Sequence, residues 1–259
     1  MSDPFPAVAE SSATGETAAL FADIRATVGV RVVNLVWRHL ATIDGGLPWA
    51  WGAVKPLYLQ GIPDQAAVSF RRTMIVPKLG SLAGPQLASV DDVLASYDHS
   101  NTINLFALGA LVAWLRGETA KVGVPPAGPR LPAPDVTLPK LASEEDVSPE
   151  TWALVLRLNK FGDRPEPMIL ASMYRHLAHA TRFLGRLEPA LAAVQADGSL
   201  DRAIAANRAA AEGQSRLLAR AIDACAPREA ARIEAGVAAF VEHAIGKMVT
   251  ICRAVRAAR

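Results

Sequence analysis

Residues 36–41 read VWRHLA and residues 173–178 read MYRHLA, so the four letters RHLA occur twice in the chain. A second pair of segments precedes them in the same order. GETAALFADIRATVG at 15–29 precedes the first copy and SPETWALVLRLNKFG at 148–162 precedes the second. Both of these segments have a helical pattern and end on glycine, a residue that commonly terminates helices. The repeated order predicts a tandem duplication of one helical unit.

A third pair completes the order. Residues 89–115 and 226–255 each begin with a capped or proline-started amphipathic stretch that continues into a long apolar helix. Two copies of a helical unit in one chain are expected to pack about a pseudo-twofold axis. Such an arrangement often places a pocket between the copies, where each copy supplies different groups.

The composition agrees with an all-α fold, because 51% of the residues are hydrophobic and only 6% are aromatic. Lysine and arginine (27) nearly balance aspartate and glutamate (25), so we expect no nucleic-acid partner. The longest apolar run, residues 103–115, is shorter than the roughly 20 residues that cross a bilayer. Cys225 and Cys252 form no CxxC pair, and we expect both in the core of a cytoplasmic protein.

Prolines divide the chain. We expect a flexible tail at 1–15, a first helical repeat at 16–121, a Pro-rich linker at 122–148 and a second helical repeat at 149–259. The expected fold is therefore an all-α pseudo-dimer of two tandem helical repeats joined by a long linker. A homodimer is a further possibility.

Metal and cofactor chemistry has little support in the sequence. His176 and His179 are spaced i, i+3 and could share a helical face, but no third ligand lies near them in a known motif. His39, which matches His176 in the repeat, favours a structural role for both. The chain has no GxSxG, HExxH or P-loop motif and no GxGxxG after a strand, so we expect neither a metal nor a cofactor.

The segment SYDHSNTINLF at 96–106 carries five polar side chains at the start of the most apolar helix: Asp98, His99, Ser100, Asn101 and Asn104. Buried polar groups need hydrogen-bond partners. One interpretation is that this part of the helix is kinked or faces solvent. The other is that the Asn101 amide faces a cavity, where it could bind a carboxylate or orient a water molecule.

The segment DIRATVGVRVVNLVWRHLATIDGGLPWAW at 23–51 resembles the group I 2-haloacid dehalogenases, which are non-stereospecific and invert configuration. The similarity extends over about residues 16–255 and is strongest at 20–60 and 94–112. It implies an all-α fold of two repeats. It also implies that a carboxylate activates water, which displaces halide from C2 of a short 2-haloalkanoic acid, while an asparagine positions the reacting groups.

The resemblance assigns site residues one by one. The family asparagine falls on Asn101, in SNTINLF, and the pocket aromatics fall on Val32 and Leu35, which would give a smaller apolar wall. The family Ser-Asp pair falls on Ser172 and Met173. A thioether cannot take a proton from water at neutral pH, so the family hydrolysis is not expected with this alignment.

Three functional hypotheses follow. The first is a dehalogenase-like protein with a pocket between the repeats for a small organic acid, in which Met173 in place of the base argues against hydrolysis. The second is an active, configuration-inverting 2-haloacid dehalogenase in which Glu166 or Asp163, in KFGDRPEPMILASMYRHLA, supplies the catalytic base. The third is a helical interaction module that binds no small ligand. None of the three involves a nucleic acid or a membrane.

Overall fold

The fold is that of a computed structural model that describes residues 6–83, 88–123, 125–162 and 168–259. Over these ranges the secondary structure is helical, and no strand occurs. The predicted all-α class is confirmed.

Among the described residues, the first half of the chain contributes five α-helices. The last of them is the longest of the five and contains the apolar run predicted from the sequence. The five are α1 (Gly15–Val28), α2 (Leu35–Leu40), α3 (Gly46–Leu59), α4 (Ile62–Thr73) and α5 (Ala88–Leu115).

The second half follows the same order, with its long final helix divided by a seven-residue π-helix. Its helices are α6 (Pro149–Asn159), α7 (Ser172–Leu177), α8 (Thr181–Ala196), α9 (Ser199–Leu218), α10 (Ala230–Ala238), the π-helix (Ala239–Ile245) and α11 (Gly246–Ala258). This shared order supports the tandem duplication, which stays a prediction.

The start of α6 and the end of α1 are as the sequence predicts, whereas α6 ends at Asn159, before the predicted terminal Gly162. At the start of α6 the Ser148 hydroxyl accepts a hydrogen bond from the backbone N–H of Thr151, and Pro149 occupies the first turn. Gly29 follows α1 with φ of 76°, and Gly162 lies just beyond α6 with φ of 74°. Left-handed backbone of this kind favours glycine, which has no Cβ to clash.

The two RHLA histidines make the same contact in each half. His39 Nδ1 lies 2.8 Å from the carbonyl oxygen of Pro6, and His176 Nδ1 lies 2.8 Å from that of Pro139. A carbonyl only accepts hydrogen bonds, so Nδ1 must carry the proton in both rings. Each histidine therefore fixes the segment that leads into its own half.

The two RHLA arginines act in parallel. Arg38 Nε donates to the Val8 carbonyl at 3.0 Å, and Arg175 Nε donates to the Ala142 carbonyl at 2.7 Å. Residues 6–12 are consequently bound to the first half instead of forming part of the flexible tail predicted for 1–15. Their backbone carbonyls explain the difference, because they satisfy two buried or half-buried side chains.

The RHLA histidines also join the halves to each other. The His39 ring packs against Phe240 of the π-helix, with ring centroids 5.9 Å apart. The His176 ring packs against Tyr97 of α5, with centroids 5.8 Å apart. In each case a histidine of one half contacts an aromatic side chain on the long helix of the other half.

Both long helical stretches pass through two hydrophobic cores. On α5, Val93 belongs to the core of the second half and Leu108 to the core of the first. On α10–α11, Ile233 belongs to the first core and Val255 to the second. The two cores are therefore completed by helices exchanged between the halves.

We expected both cysteines in the core, but only one of the two is buried. Cys252 is buried, whereas Cys225 is exposed in the loop before α10, where its carbonyl accepts a hydrogen bond from Trp49 Nε1.

Among the described residues, one helical stretch, Ala230–Ala258, has the length and mean hydropathy of a membrane span, and 72% of its apolar window is buried within the fold. That burial is typical of a core helix.

Replacing Gly109 by alanine should destabilise the protein, because an added Cβ would lie 2.4 Å from the buried Ser215 Oγ where α5 meets α9. We expect a loss of about 1–3 kcal/mol in the free energy of unfolding. Gly213→Ala is the matched control, since its Cβ meets open space within α9 and should stabilise by about 0.5–1 kcal/mol. Urea denaturation measures both, and equal effects would contradict the close approach of α5 and α9.

Stability should fall as the pH drops from 6.5 towards 4, because burial lowers the pKa of His176 from 6.5 to about 4. The unfolded chain takes up the proton first, so the folded state loses on the order of 3 kcal/mol over this window. His176→Asn keeps a donor for Pro139 and should lose that pH dependence. The exposed-site variant His179→Asn should retain it, and identical slopes for the wild type and His176→Asn in pH-dependent urea denaturation would contradict this assignment.

Candidate functional site

A cavity lies between the two halves, and we call it the central cavity. Its walls come from residues 30–38 and 96–101 of the first half, from 138–141 of the connecting segment, and from 169–173 and 240–248 of the second half. The space open to the centres of water-sized molecules is about 60 Å³. Most lining side chains are aliphatic or aromatic, so the cavity is apolar with a few polar groups.

The five binding residues predicted from the resemblance are brought together around this cavity: Val32, Leu35, Asn101, Ser172 and Met173. They come from the loop before α2, from α2 itself, from α5 and from α7. Their roles in binding remain predictions. The two predicted catalytic carboxylates, Asp163 and Glu166, lie outside the described residues.

The polar segment of α5 does not face solvent, which corrects the solvent-facing interpretation of SYDHSNTINLF. The helix runs without a break from Ala88 to Leu115, and its polar residues at 98–101 and 104 are buried. Neighbouring side chains and backbone groups satisfy several of them. They are therefore part of the interior.

One hydrogen-bonded chain accounts for two of these polar groups. The Tyr58 hydroxyl donates to Asn104 Oδ1 at 2.5 Å, Asn104 Nδ2 donates to Asn34 Oδ1 at 3.0 Å, and Asn34 Nδ2 lies 3.4 Å from the Ser100 hydroxyl. This chain joins α3, α5 and the residue before α2. It fixes the wall of the central cavity that carries Val32 and Leu35.

Asn101 differs from its neighbours. Its side chain lines the central cavity, the residue is 7% exposed, and its amide makes no hydrogen bond to the described residues. An amide offers two donors and an acceptor, and leaving them unpaired in an apolar site is unfavourable. The Asn101 amide is therefore available to a molecule in the cavity.

Tyr97 adds a hydroxyl to the same wall. Burial raises the pKa of the Tyr97 phenol above its usual range, while interaction with the Ser172 hydroxyl and the positive charges of Arg175 and Arg38 acts in the opposite direction. The phenol is therefore protonated at neutral pH and can act as a hydrogen-bond donor.

Arg38 carries the charge of the site. Among the described residues that line the cavity it is the one ionised side chain, with no aspartate or glutamate beside it. Its Nε is held by the Val8 carbonyl, and its repeat counterpart Arg175 does not line the cavity. The residue-by-residue alignment with the dehalogenase family did not identify Arg38 or Tyr97 as lining the cavity. The repeated RHLA segment was the one signal in the sequence that pointed to Arg38.

Met173 stands where the resemblance places the water-activating carboxylate. The side chain is 1% exposed and faces the cavity with a thioether. The described lining therefore offers hydrogen-bond donors and one cation, but no general base for water.

The histidines considered as metal ligands have other partners. His176 Nδ1 binds the Pro139 carbonyl, and His179 Nε2 lies 2.8 Å from the Lys140 carbonyl. Both rings therefore hold the segment before α6. Across the part of the chain that the structure describes, no three histidine, cysteine, aspartate or glutamate side chains form a group that could hold a metal ion.

Comparison with known proteins identifies solved structures with the same fold, but no family model and no curated protein that matches the sequence. Three similar solved structures are a D-2-haloacid dehalogenase mutant in complex with D-2-CPA (TM-score 0.75, 14% identity), a D-2-haloacid dehalogenase mutant (0.76, 15%) and a D-2-haloacid dehalogenase with L-LA (0.75, 14%). Each alignment covers 100% of this chain and 97% of the other. The chain therefore has the helical fold of the 2-haloacid dehalogenases over its full length.

Proposed function

We propose that this protein binds a small organic acid in the central cavity. The observation that carries the proposal is the Asn101 amide, which has no partner among the described residues and lines an apolar cavity with Arg38 as its cation. A carboxylate would supply both the negative charge and the hydrogen-bond acceptors that this arrangement lacks.

The groups around the cavity suit one carboxylate and a short carbon chain. The Arg38 guanidinium can pair with the carboxylate, and the Asn101 amide and the Ser172 hydroxyl can donate hydrogen bonds to it. The apolar wall of Val32 and Leu35 strengthens these interactions by excluding water. The cavity volume of about 60 Å³ is small beside the roughly 150 Å³ of a cavity that holds a six-carbon ring, which supports a ligand of few heavy atoms.

The solved structures of the same fold support this ligand class, since two of them contain D-2-CPA and L-LA, a small haloacid and a lactate. Their names specify the D-2-haloacid type, whereas the resemblance in sequence points to the non-stereospecific type. Both types act on acids with a substituent at C2. A short 2-substituted acid is therefore our preferred ligand class.

Hydrolysis of 2-haloacids is the second candidate function. Glu166 precedes the cavity-lining Ile169 by three positions in the sequence, and Asp163 precedes it by six. Either carboxylate could serve as the base that Met173 cannot provide, with the Asn101 amide orienting the water. In that mechanism the activated water attacks C2 from the side opposite the halide, and the configuration inverts.

Arg38→Gln should weaken the binding of D-2-chloropropionate and L-lactate by about tenfold or more, because it removes a charge-assisted contact in an apolar site. Isothermal titration calorimetry measures the dissociation constants. Arg175→Gln is the matched control, since Arg175 makes the same backbone contact but does not line the cavity.

An equal loss of affinity in the two arginine variants would show that Arg38 affects binding only by holding the fold together and does not contact the acid. No binding of either acid by the wild-type protein would reject the proposal and leave the interaction module as the remaining hypothesis.

Glu166→Gln and Asp163→Asn test the hydrolysis. If one of them supplies the base, its variant should lose at least a hundredfold in halide release from 2-chloropropionate, since general-base catalysis contributes about 10²–10⁴ in rate. Halide release is measured separately for each enantiomer. The exposed linker variant Glu145→Gln serves as the control and should keep the wild-type rate.

Release of halide at the full rate by both variants would exclude these two carboxylates as the base. If the wild type releases no halide from either enantiomer yet binds both acids, hydrolysis is rejected and the binding function stands.

A further inference from the structure

The polar segment of α5 lines two different spaces. Residues 96, 97, 100 and 101 line the central cavity, whereas residues 95, 98 and 99 line a second cleft of about 290 Å³. At 100° per residue these two sets lie on opposite sides of the helix. The second cleft, which we call the arginine cleft, is also lined by Arg71 of α4 and by Arg253 and Arg256 of α11.

The three arginines converge on one buried carboxylate. Asp98 Oδ2 lies 3.5 Å from Arg71 Nη2 and 3.6 Å from Arg253 Nη1, and it accepts a hydrogen bond from Arg256 Nη1. Arg71 Nη2 also donates to the Asp98 backbone carbonyl at 2.8 Å. The carboxylate thus gathers three guanidinium groups at one point of the surface.

A single carboxylate leaves this cluster with two uncompensated positive charges. Asp98 is the one acidic side chain among the described residues that line the cleft. The nitrogens around Asp98 Oδ2 lie within about 7 Å of each other, so their charges repel. Burial lowers the pKa of Arg71, and its Nε is buried without a partner among the described residues.

We propose that the arginine cleft is a second ligand site, one that binds a dianionic phosphate group. Two net positive charges match a dianion, and the planar fork of N–H donors in arginine fits the geometry of phosphate oxygens. Leu131, Pro132 and Pro134 form an apolar part of the lining, which could contact an organic group that carries the phosphate.

This site goes beyond the proposed function and does not rest on it. The arginine cleft and the central cavity share none of their described lining residues, and α5 separates the two. A failure of acid binding in the central cavity would therefore leave the phosphate site intact, and the reverse also holds.

Binding of inorganic phosphate to the full chain, measured by calorimetry at pH 8 and low ionic strength, tests the proposal. The wild type should bind phosphate more tightly than chloride. Arg253→Gln should weaken phosphate binding by about tenfold, because it removes one charge-assisted contact. Arg256→Gln provides a second variant from the same helix, and thermal denaturation confirms that both variants are folded.

Arg232→Gln is the matched control, since Arg232 is an exposed arginine on α10 that pairs with Glu229 and lies outside the cleft. It should bind phosphate as the wild type does. Glycerol 3-phosphate distinguishes the source of the phosphate group: tighter binding than inorganic phosphate supports a phosphorylated small molecule, and equal binding supports the free ion.

Phosphate binding no tighter than that of chloride would overturn the proposal. Wild-type affinity in folded Arg253→Gln and Arg256→Gln proteins would overturn it as well, because the bound ion would then lie elsewhere. Neither result depends on whether D-2-chloropropionate binds in the central cavity.

Discussion

The burial of α5 and of the α10–α11 stretch in both hydrophobic cores is the constraint on which the rest of the structure depends. Each long stretch places one end in the core of its own half and the other end in the core of the opposite half. Removing either would expose apolar side chains in both cores at once. The RHLA histidines add to this exchange, since His39 packs on Phe240 and His176 packs on Tyr97. The halves therefore hold a fixed relative position.

That fixed position defines the central cavity and its chemistry. The loop before α2 is held to α5 by the chain of hydrogen bonds from Tyr58 through Asn104 and Asn34, so the cavity wall is ordered before any ligand arrives. Within that wall the Asn101 amide has no hydrogen-bond partner among the described residues, whereas Met173 offers only a thioether. The described lining thus offers hydrogen-bond donors and one cation, but no general base for water.

The polar segment of α5 gives the interior of the molecule two distinct electrostatic environments. On one side, Asn101 and Tyr97 face an apolar space with a single cation, Arg38. On the other, Asp98 gathers three arginines at a cleft open to the surface. A carboxylate in the first space needs neutral donors and one charge, whereas the second can accommodate a doubly charged anion. The helix between them keeps these requirements separate.

The sequence by itself determined the helical class, the start of α6 and the end of α1, because periodicity, a capping serine and a terminal glycine act within a few residues. It also marked Asn101 as an unusual polar residue, and the resemblance named Val32, Leu35, Ser172 and Met173. Only the tertiary structure brought Arg38 and Tyr97 to the central cavity and Arg71, Arg253 and Arg256 to Asp98. Those contacts join residues distant in the chain, so they depend on how helices pack, which local sequence patterns do not specify.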